Sequence, residues 1–227
     1  MTLEVSKYEC YTQSQNDMVG YIRDVCNEFS YKFTTGIYFL TGEIDIGAWS
    51  FAYSLASDAK NAHAHYKSII LNNKNVDLAE VQKQSFHVGQ YIAYGKKSFE
   101  SAIKNALKES NSNLSYDDFL LKYGFNDAPA ERWKMNCMNQ KIWYISTLIG
   151  LALSKQIFIF PWLSKKGYLS SYFQKAFDLL ISEDIITLVP CSEKIQLPVG
   201  ENYTVLRMAS LFNLFIESGF DFEADRI

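Results

Sequence analysis

Apolar positions recur at helical spacing in parts of this chain, with short continuous apolar runs between them. Ile37-Tyr38-Phe39-Leu40 is an uninterrupted run after Gly36 and predicts a short buried strand, ended by Thr41-Gly42. Trp49 to Ser57 predicts a helix opening after Gly47, and Lys67 to Leu71 a further strand with a turn at Asn72-Asn73-Lys74. Phe99, Ile103 and Leu107 recur at helical spacing, so Lys97 to Glu109 predicts a helix, stopped by Ser110-Asn111-Ser112-Asn113. Asp117 to Lys122 predicts a shorter helix, with Ser115 as its cap and Asp118 completing an imperfect capping box. Gly124 to Lys134, with Pro129, is polar and loop-like.

The C-terminal half is more strongly patterned. Lys141 to Ser154 predicts an apolar helix, and Gln156 to Phe160 a continuous β run stopped by Pro161. Ser170 to Ile181 is amphipathic at helical spacing, and Asp184 to Val189 predicts a buried strand stopped by Pro190. Val205 to Ser218 predicts a terminal helix. Strands alternating with helices imply an α/β fold with a mostly parallel sheet flanked by helices. Gly42, Pro161 and Pro190 then fall at the carboxyl ends of strands, where open α/β sheets place ligands.

Composition adds bounds. With 227 residues, 48% hydrophobic and 21% charged, the chain has the make-up of one large folded domain. A net charge of -3 offers no electrostatic footprint for nucleic acid. Cys10, Cys26, Cys137 and Cys191 show no metal or redox spacing, which suits a reducing compartment. Met1 is followed by polar and charged residues rather than a secretory signal, and the longest apolar stretch, Ile142 to Leu153, falls short of the roughly 20 residues that span a bilayer. The expectation is a cytoplasmic chain. The 15% aromatic content fits either an aromatic core or a surface that wants a partner.

One segment carries the spacing of a phosphate loop. Gly42-Glu43-Ile44-Asp45-Ile46-Gly47 has two glycines with four residues between them, directly after a strand. Such a loop curls backbone amides round phosphates, then uses Lys to reach the terminal phosphates and Ser or Thr to hold magnesium. Here Ala48 stands at the lysine position and Trp49 at the hydroxyl position, with Ser50 following. Other constellations are blander. His63 and His65 lie two apart with His87 later, but no third and fourth ligand follows at zinc spacing; Asp117-Asp118 and Glu183-Asp184 read as caps, and Lys165-Lys166-Gly167 reads as a solvated turn.

Taken in order, these stretches resemble the nucleotide-binding domain of ABC transporters, from about Tyr11 to Gln196. Gly36 to Glu43 resembles the strand entering the phosphate loop. Val88-Gly89-Gln90 resembles the Q-loop, with Gln90 at the glutamine. Met135-Asn136-Cys137-Met138-Asn139 falls where the family has Leu-Ser-Gly-Gly-Gln. Ile157 to Phe160 falls as the Walker B strand, followed by Pro161-Trp162 instead of Asp-Glu. Thr187 to Ser192 resembles the strand before the switch histidine, with Cys191 in its place, and Tyr168 stands near the D-loop aspartate. Tyr11 is the candidate for the aromatic residue that stacks on adenine, with a plain surface tyrosine as the alternative.

The resemblance implies a P-loop NTPase-like α/β fold in one cassette-like domain over residues 1–227, with a helical subdomain at about 91–154. It also implies what is missing. Ala48 cannot face phosphate charge, Pro161 and Trp162 cannot bind magnesium or activate water, and Asn136, Cys137 and Met138 put bulk where glycine lets backbone approach closely. The expectation is a catalytically degenerate cassette requiring no cofactor. It would pair as a homo- or heterodimer with a second cassette subunit, with an ABC permease, or with both, and would reach the cytoplasmic face of the membrane through that partner. The alternatives are a weak ATP and magnesium site using substitute residues such as Lys141, and a soluble adaptor such as an immunity factor. Trp49, Trp133, Trp143 and Trp162 fall at or beside the altered motifs, as if aromatic bulk fills the nucleotide's space.

Overall fold

The computed structural model describes residues 1–16, 20–42, 48–56, 64–89, 98–123, 141–163, 171–192, 195, 197–198 and 200–208; within these, residues 7–16, 20–29, 50, 64–65 and 171 are described as backbone only. The elements in chain order are β1 (Thr2–Asn16), β2 (Gly20–Thr34), β3 (Gly36–Gly42), α1 (Ala48–Ser54), β4 (Ala64–His65), β5 (Ser68–Leu71), β6 (Lys74–Val76), α2 (Leu78–Gln84), β7 (Ser85–His87), α3 (Phe99–Glu109), α4 (Tyr116–Lys122), α5 (Ile142–Ala152), β8 (Ile157–Ile159), α6 (Ser171–Ser182), β9 (Ile186–Ser192) and β10 (Tyr203–Arg207).

Five of these strands form a wholly parallel sheet in the order β10-β3-β9-β8-β7. Continuous apolar runs at β3, β8 and β9 fit this arrangement, because both faces of the sheet are covered. Alternate side chains feed two cores. Ile37, Phe39, Phe158, Phe160, Val189 and Cys191 join α3 to α6 on one face. Tyr38, Leu40, Ile157, Ile159, Ile186 and Leu188 join α1 and the second sheet on the other.

That second sheet is antiparallel, in the order β2-β1-β5-β6, with β4 also pairing β1. Leu3 and Val5 of β1, Phe33 of β2 and Ile69 and Leu71 of β5 close over Phe51 and Ala52 of α1 and over Leu55 just past its end. The helix is thereby clamped between two sheets. The Phe33 ring lies 5.9 Å from Phe51 and 4.9 Å from Tyr38. The Tyr38 hydroxyl in turn accepts from the Thr34 backbone at 2.9 Å.

The predicted strands at 37–40, 67–71 and 156–160 appear, as do the helices at 97–109, 117–122, 141–154 and 170–181 within a few residues. Asn72 and Asn73 both take positive φ (50° and 63°), as the tight β5–β6 hairpin requires. The capping box at α4 is reciprocal: Asp118 N donates to Ser115 Oγ at 3.1 Å, and that hydroxyl donates to Asp118 Oδ2 at 2.6 Å. The loop at 124–134 and the segment 209–218 lie outside the described residues.

Two expectations are corrected. Pro190 does not stop its strand; it sits inside β9, paired with Leu40. Its carbonyl accepts from Leu163 N at 2.9 Å, so its backbone faces the β8 side, beyond the last β8 rung at Ile159↔Leu188. No β3 bond therefore calls for the N–H that proline lacks. Residues 205–207 are not helical but belong to β10, which pairs with β3 from Tyr203↔Ile37 to Arg207↔Thr41. As an edge strand it leaves Val205 52% exposed.

Candidate functional site

The parallel sheet brings the carboxyl ends of β3, β8, β9 and β7 to one edge, and the first residues of α1 follow β3 after the segment 43–47, which lies outside the described residues. Gly42 ends β3 and pairs with Ser192 at the end of β9, while the preceding rung joins Thr41 to Cys191. Thr41 is buried; its carbonyl accepts from Met208 N at 2.9 Å, and its hydroxyl makes only a long 3.4 Å contact to the Leu206 carbonyl.

The residues that opened α1 in the sequence reading open it in space. Ala48 is 1% exposed and packs into the core beneath the second sheet. Trp49 stays partly exposed and stacks on Tyr53, with centroids 4.6 Å apart and rings 11° from parallel. Tyr53 meets His87 of β7 edge-on at 5.6 Å. This ladder of three rings was not foreseen, although a tryptophan and a tyrosine four apart on a predicted helix must share a face. The far end of α1 is tied down by Ser54, whose hydroxyl donates to the Phe51 carbonyl at 2.8 Å and so receives the Tyr66 hydroxyl at 2.6 Å.

Beyond β8 the chain departs from the ladder at Phe160-Pro161-Trp162 and rejoins β9 at Leu163, which bridges Cys191. Pro161 and Trp162 are half-buried, Trp162 against the α1 core, and Leu163 is buried in the core of the opposite face. Cys191 is 0% exposed in that same core, and burial pushes its thiol up to about 12. It is a neutral core residue at any ordinary pH, not a group at the strand's tip.

Val88 is buried, and Gly89 takes a φ of 103°, a left-handed value that favours glycine. Its N–H donates to Ser146 Oγ of α5 at 2.6 Å, which fastens the exit of β7 to the helix that follows the segment 124–140. Lys141, at the start of α5, lies 5.4 Å from the centre of the Tyr172 ring of α6, away from the described ends of β3 and β8 in sequence and engaged there. Arg207, exposed at the end of β10 and level with Thr41, is a cation the sequence reading missed.

Gly47, Gln90, Asn136, Cys137, Met138, Tyr168, Trp133 and His63 lie outside the described residues, and Tyr11, Ser50 and His65 are described as backbone only. Tyr11 stands in β1 opposite Val25. Among the described residues, no cluster of three His, Cys, Asp or Glu stands ready for a metal ion, and no helix is long and apolar enough to cross a membrane.

Comparison with known proteins identifies the fold. No protein-family model matches the sequence, and no curated protein matches it. Among solved structures, a protein described as an ABC transporter ATP-binding protein, from Pyrococcus furiosus, superposes over 91% of this chain and 98% of its own, with a TM-score of 0.62 at 14% identity. An ATP-binding subunit of an ABC transporter superposes over 96% of this chain and 94% of its own, with a TM-score of 0.55 at 12% identity. The chain thus has the α/β fold of the ATP-binding cassette, in which a parallel sheet is flanked by helices.

Proposed function

We propose that this chain is a catalytically degenerate cassette-like subunit that acts through a partner rather than by hydrolysing ATP. The observation that carries the reading is the chemistry at the strand ends. Where cassette chemistry calls for a cation, a hydroxyl, two carboxylates and a histidine, the chain has Ala48, Trp49, Pro161, Trp162 and Cys191. Ala48 and Cys191 are committed to the two cores, and Trp162 packs against one of them. Among the described residues at these strand ends, 41–42, 87–89, 160–163 and 191–192, none is a carboxylate; Glu43 and Glu193, next in sequence, lie outside the described residues. The described strand ends therefore offer neither the lysine, the hydroxyl nor the paired carboxylates that cassette chemistry uses on magnesium-ATP.

The role we infer is structural or regulatory, within one cassette-like domain over 1–227 whose helical part lies at about 91–154. The partner is a second cassette subunit, an ABC permease, or both, and contact with the membrane runs through that partner. Aromatic bulk from Trp49, Tyr53 and Trp162 takes over the stabilising role that a nucleotide plays elsewhere. No cofactor is required for folding. Asn136, Cys137 and Met138 lack the small residues that let a signature loop approach a neighbour's phosphate, so the chain does not complete a partner's site either.

A tagged chain, recovered from gently solubilised membranes of the native host with and without ATP and magnesium, tests this reading. Recovery with a permease or a complete cassette subunit supports it. Recovery as a soluble monomer overturns the transport role. Arg207 favours one second reading, weak phosphate binding without turnover, since this exposed, charged residue stands in register with Thr41 near the end of β3 and carries the charge a phosphate seeks.

A further inference from the structure

Cys10 and Cys26 are far apart in sequence, but the hairpin register sets them opposite each other. They form the first rung of an unbroken ladder that runs to Asn16↔Gly20, immediately past the register shift between Tyr8 and Cys10. On its other side Cys10 pairs with Ala64 of β4, so β1 is held between two strands at this point. Opposed residues of antiparallel strands have Cα atoms about 4.5 or about 5.5 Å apart, depending on the type of rung. A disulfide spans roughly 4.4–6.8 Å between Cα atoms, so the Cα spacing of directly opposed residues lies within its reach, the closer, non-hydrogen-bonded rung bringing the Cβ atoms nearest to the separation the bond needs.

We propose that Cys10 and Cys26 are a reversible thiol–disulfide pair that staples the β1–β2 ribbon. With glutathione disulfide as the oxidant, one cysteine thiolate attacks a glutathione sulfur, forming a mixed disulfide and releasing one glutathione thiolate. The opposite cysteine then attacks the protein sulfur of that mixed disulfide and releases the second glutathione. The protein loses two electrons and two protons, and glutathione disulfide gains them. The bond would close the base of the ribbon at 12–16 and 20–24, beside the rung Tyr11↔Val25, where the only strand pairing among the described residues is between β1 and β2. A two-stranded ribbon is marginally stable in water, so a covalent rung at its base stiffens it. This inference does not rest on the ATP-binding question.

The test uses the full chain, native, equilibrated in mixtures of reduced and oxidised glutathione, then quenched with N-ethylmaleimide and digested without reductant. Trypsin cuts after Lys7, Arg23 and Lys32, so the two cysteines fall on separate peptides, 8–23 and 24–32. The expected result is a linked pair of these peptides that grows with the oxidised fraction, disappears with dithiothreitol, and leaves the intact chain about 2 Da lighter from the two hydrogens lost. A Cys26→Ser chain is expected to stop at a glutathione adduct on Cys10. Amide exchange over 12–24 should slow in the linked form. Glutathione adducts without the linked peptide in the unaltered chain, or links to Cys137 or Cys191 instead, would overturn the proposal, and equal exchange in both forms would overturn the stiffening.

Discussion

Raising the pH tests where the Cys191 side chain resides. Its burial at 0% exposure lifts the thiol from the ordinary value of 9.0 to about 12. Between these values the native chain keeps a proton that the unfolded chain has released, so stability is full below about pH 9 and falls as pH rises. The slope is about 1.4 kcal/mol per pH unit, and by pH 11 the loss reaches about 3 kcal/mol, a sizeable part of a domain's 5–15 kcal/mol. The perturbation is Cys191→Val, which keeps an apolar group of similar size in a strand and cannot ionise. Urea unfolding of both chains, followed by tryptophan fluorescence from pH 8 to 11, gives the difference directly, because the other alkaline groups titrate alike in the two chains. The unaltered chain should lose ground against the valine chain at every step above pH 9. A difference that stays constant with pH would refute the placement of this thiol in the core.

Three further perturbations follow from the packing and the strand ends. Gly150→Ala would put a Cβ 2.5 Å from Phe158 Cε1 and 2.7 Å from Phe86 Cδ1; it should cost about 1–3 kcal/mol, seen as a lower melting temperature, and an unchanged melt would contradict the close approach of α5 to β8. Ser146→Ala removes the acceptor of the Gly89 N–H, with an expected loss of about 1–3 kcal/mol in denaturant unfolding and faster exchange of that amide. The double change Ala48→Lys and Trp49→Ser should leave ATP hydrolysis at background in a phosphate-release assay, because Pro161 and Trp162 still supply neither metal ligand nor base. Robust turnover by that chain would show that the end of β8 is not the obstacle.

Legibility in the sequence followed burial. Strands covered on both faces, at Ile37–Leu40 and Ile157–Phe160, announced themselves as continuous apolar runs. The long β1–β2 hairpin did not, because the half-buried part shows only a short alternation. Leu3 and Val5 face inward between Thr2, Glu4 and Ser6, and Tyr31 and Phe33 alternate with Lys32 and Thr34. That period of two was readable, but the pairing it leads to is long-range and includes two register shifts. β10 was hidden by the apolar residues that follow Arg207, although Tyr203-Thr204-Val205 after Gly200 is strand-like chemistry. Pro190 misled because a proline stops a strand only where the missing N–H is needed. Ala48, Trp49, Pro161 and Trp162 were singled out by motif spacing, and the fold puts Ala48 and Trp49 at the start of α1 and Pro161 and Trp162 just past β8. Arg207 and the Trp49–Tyr53–His87 ladder needed the register of the sheet. The opposition of Cys10 and Cys26 likewise exists only once the hairpin is formed.

The central claim is that a cassette fold persists here without the cassette's hydrolytic chemistry. The most direct measurement is phosphate release by the purified chain across a range of magnesium-ATP concentrations. The account predicts release indistinguishable from buffer at every concentration. Saturable turnover that disappears on Gly47→Asp would contradict it.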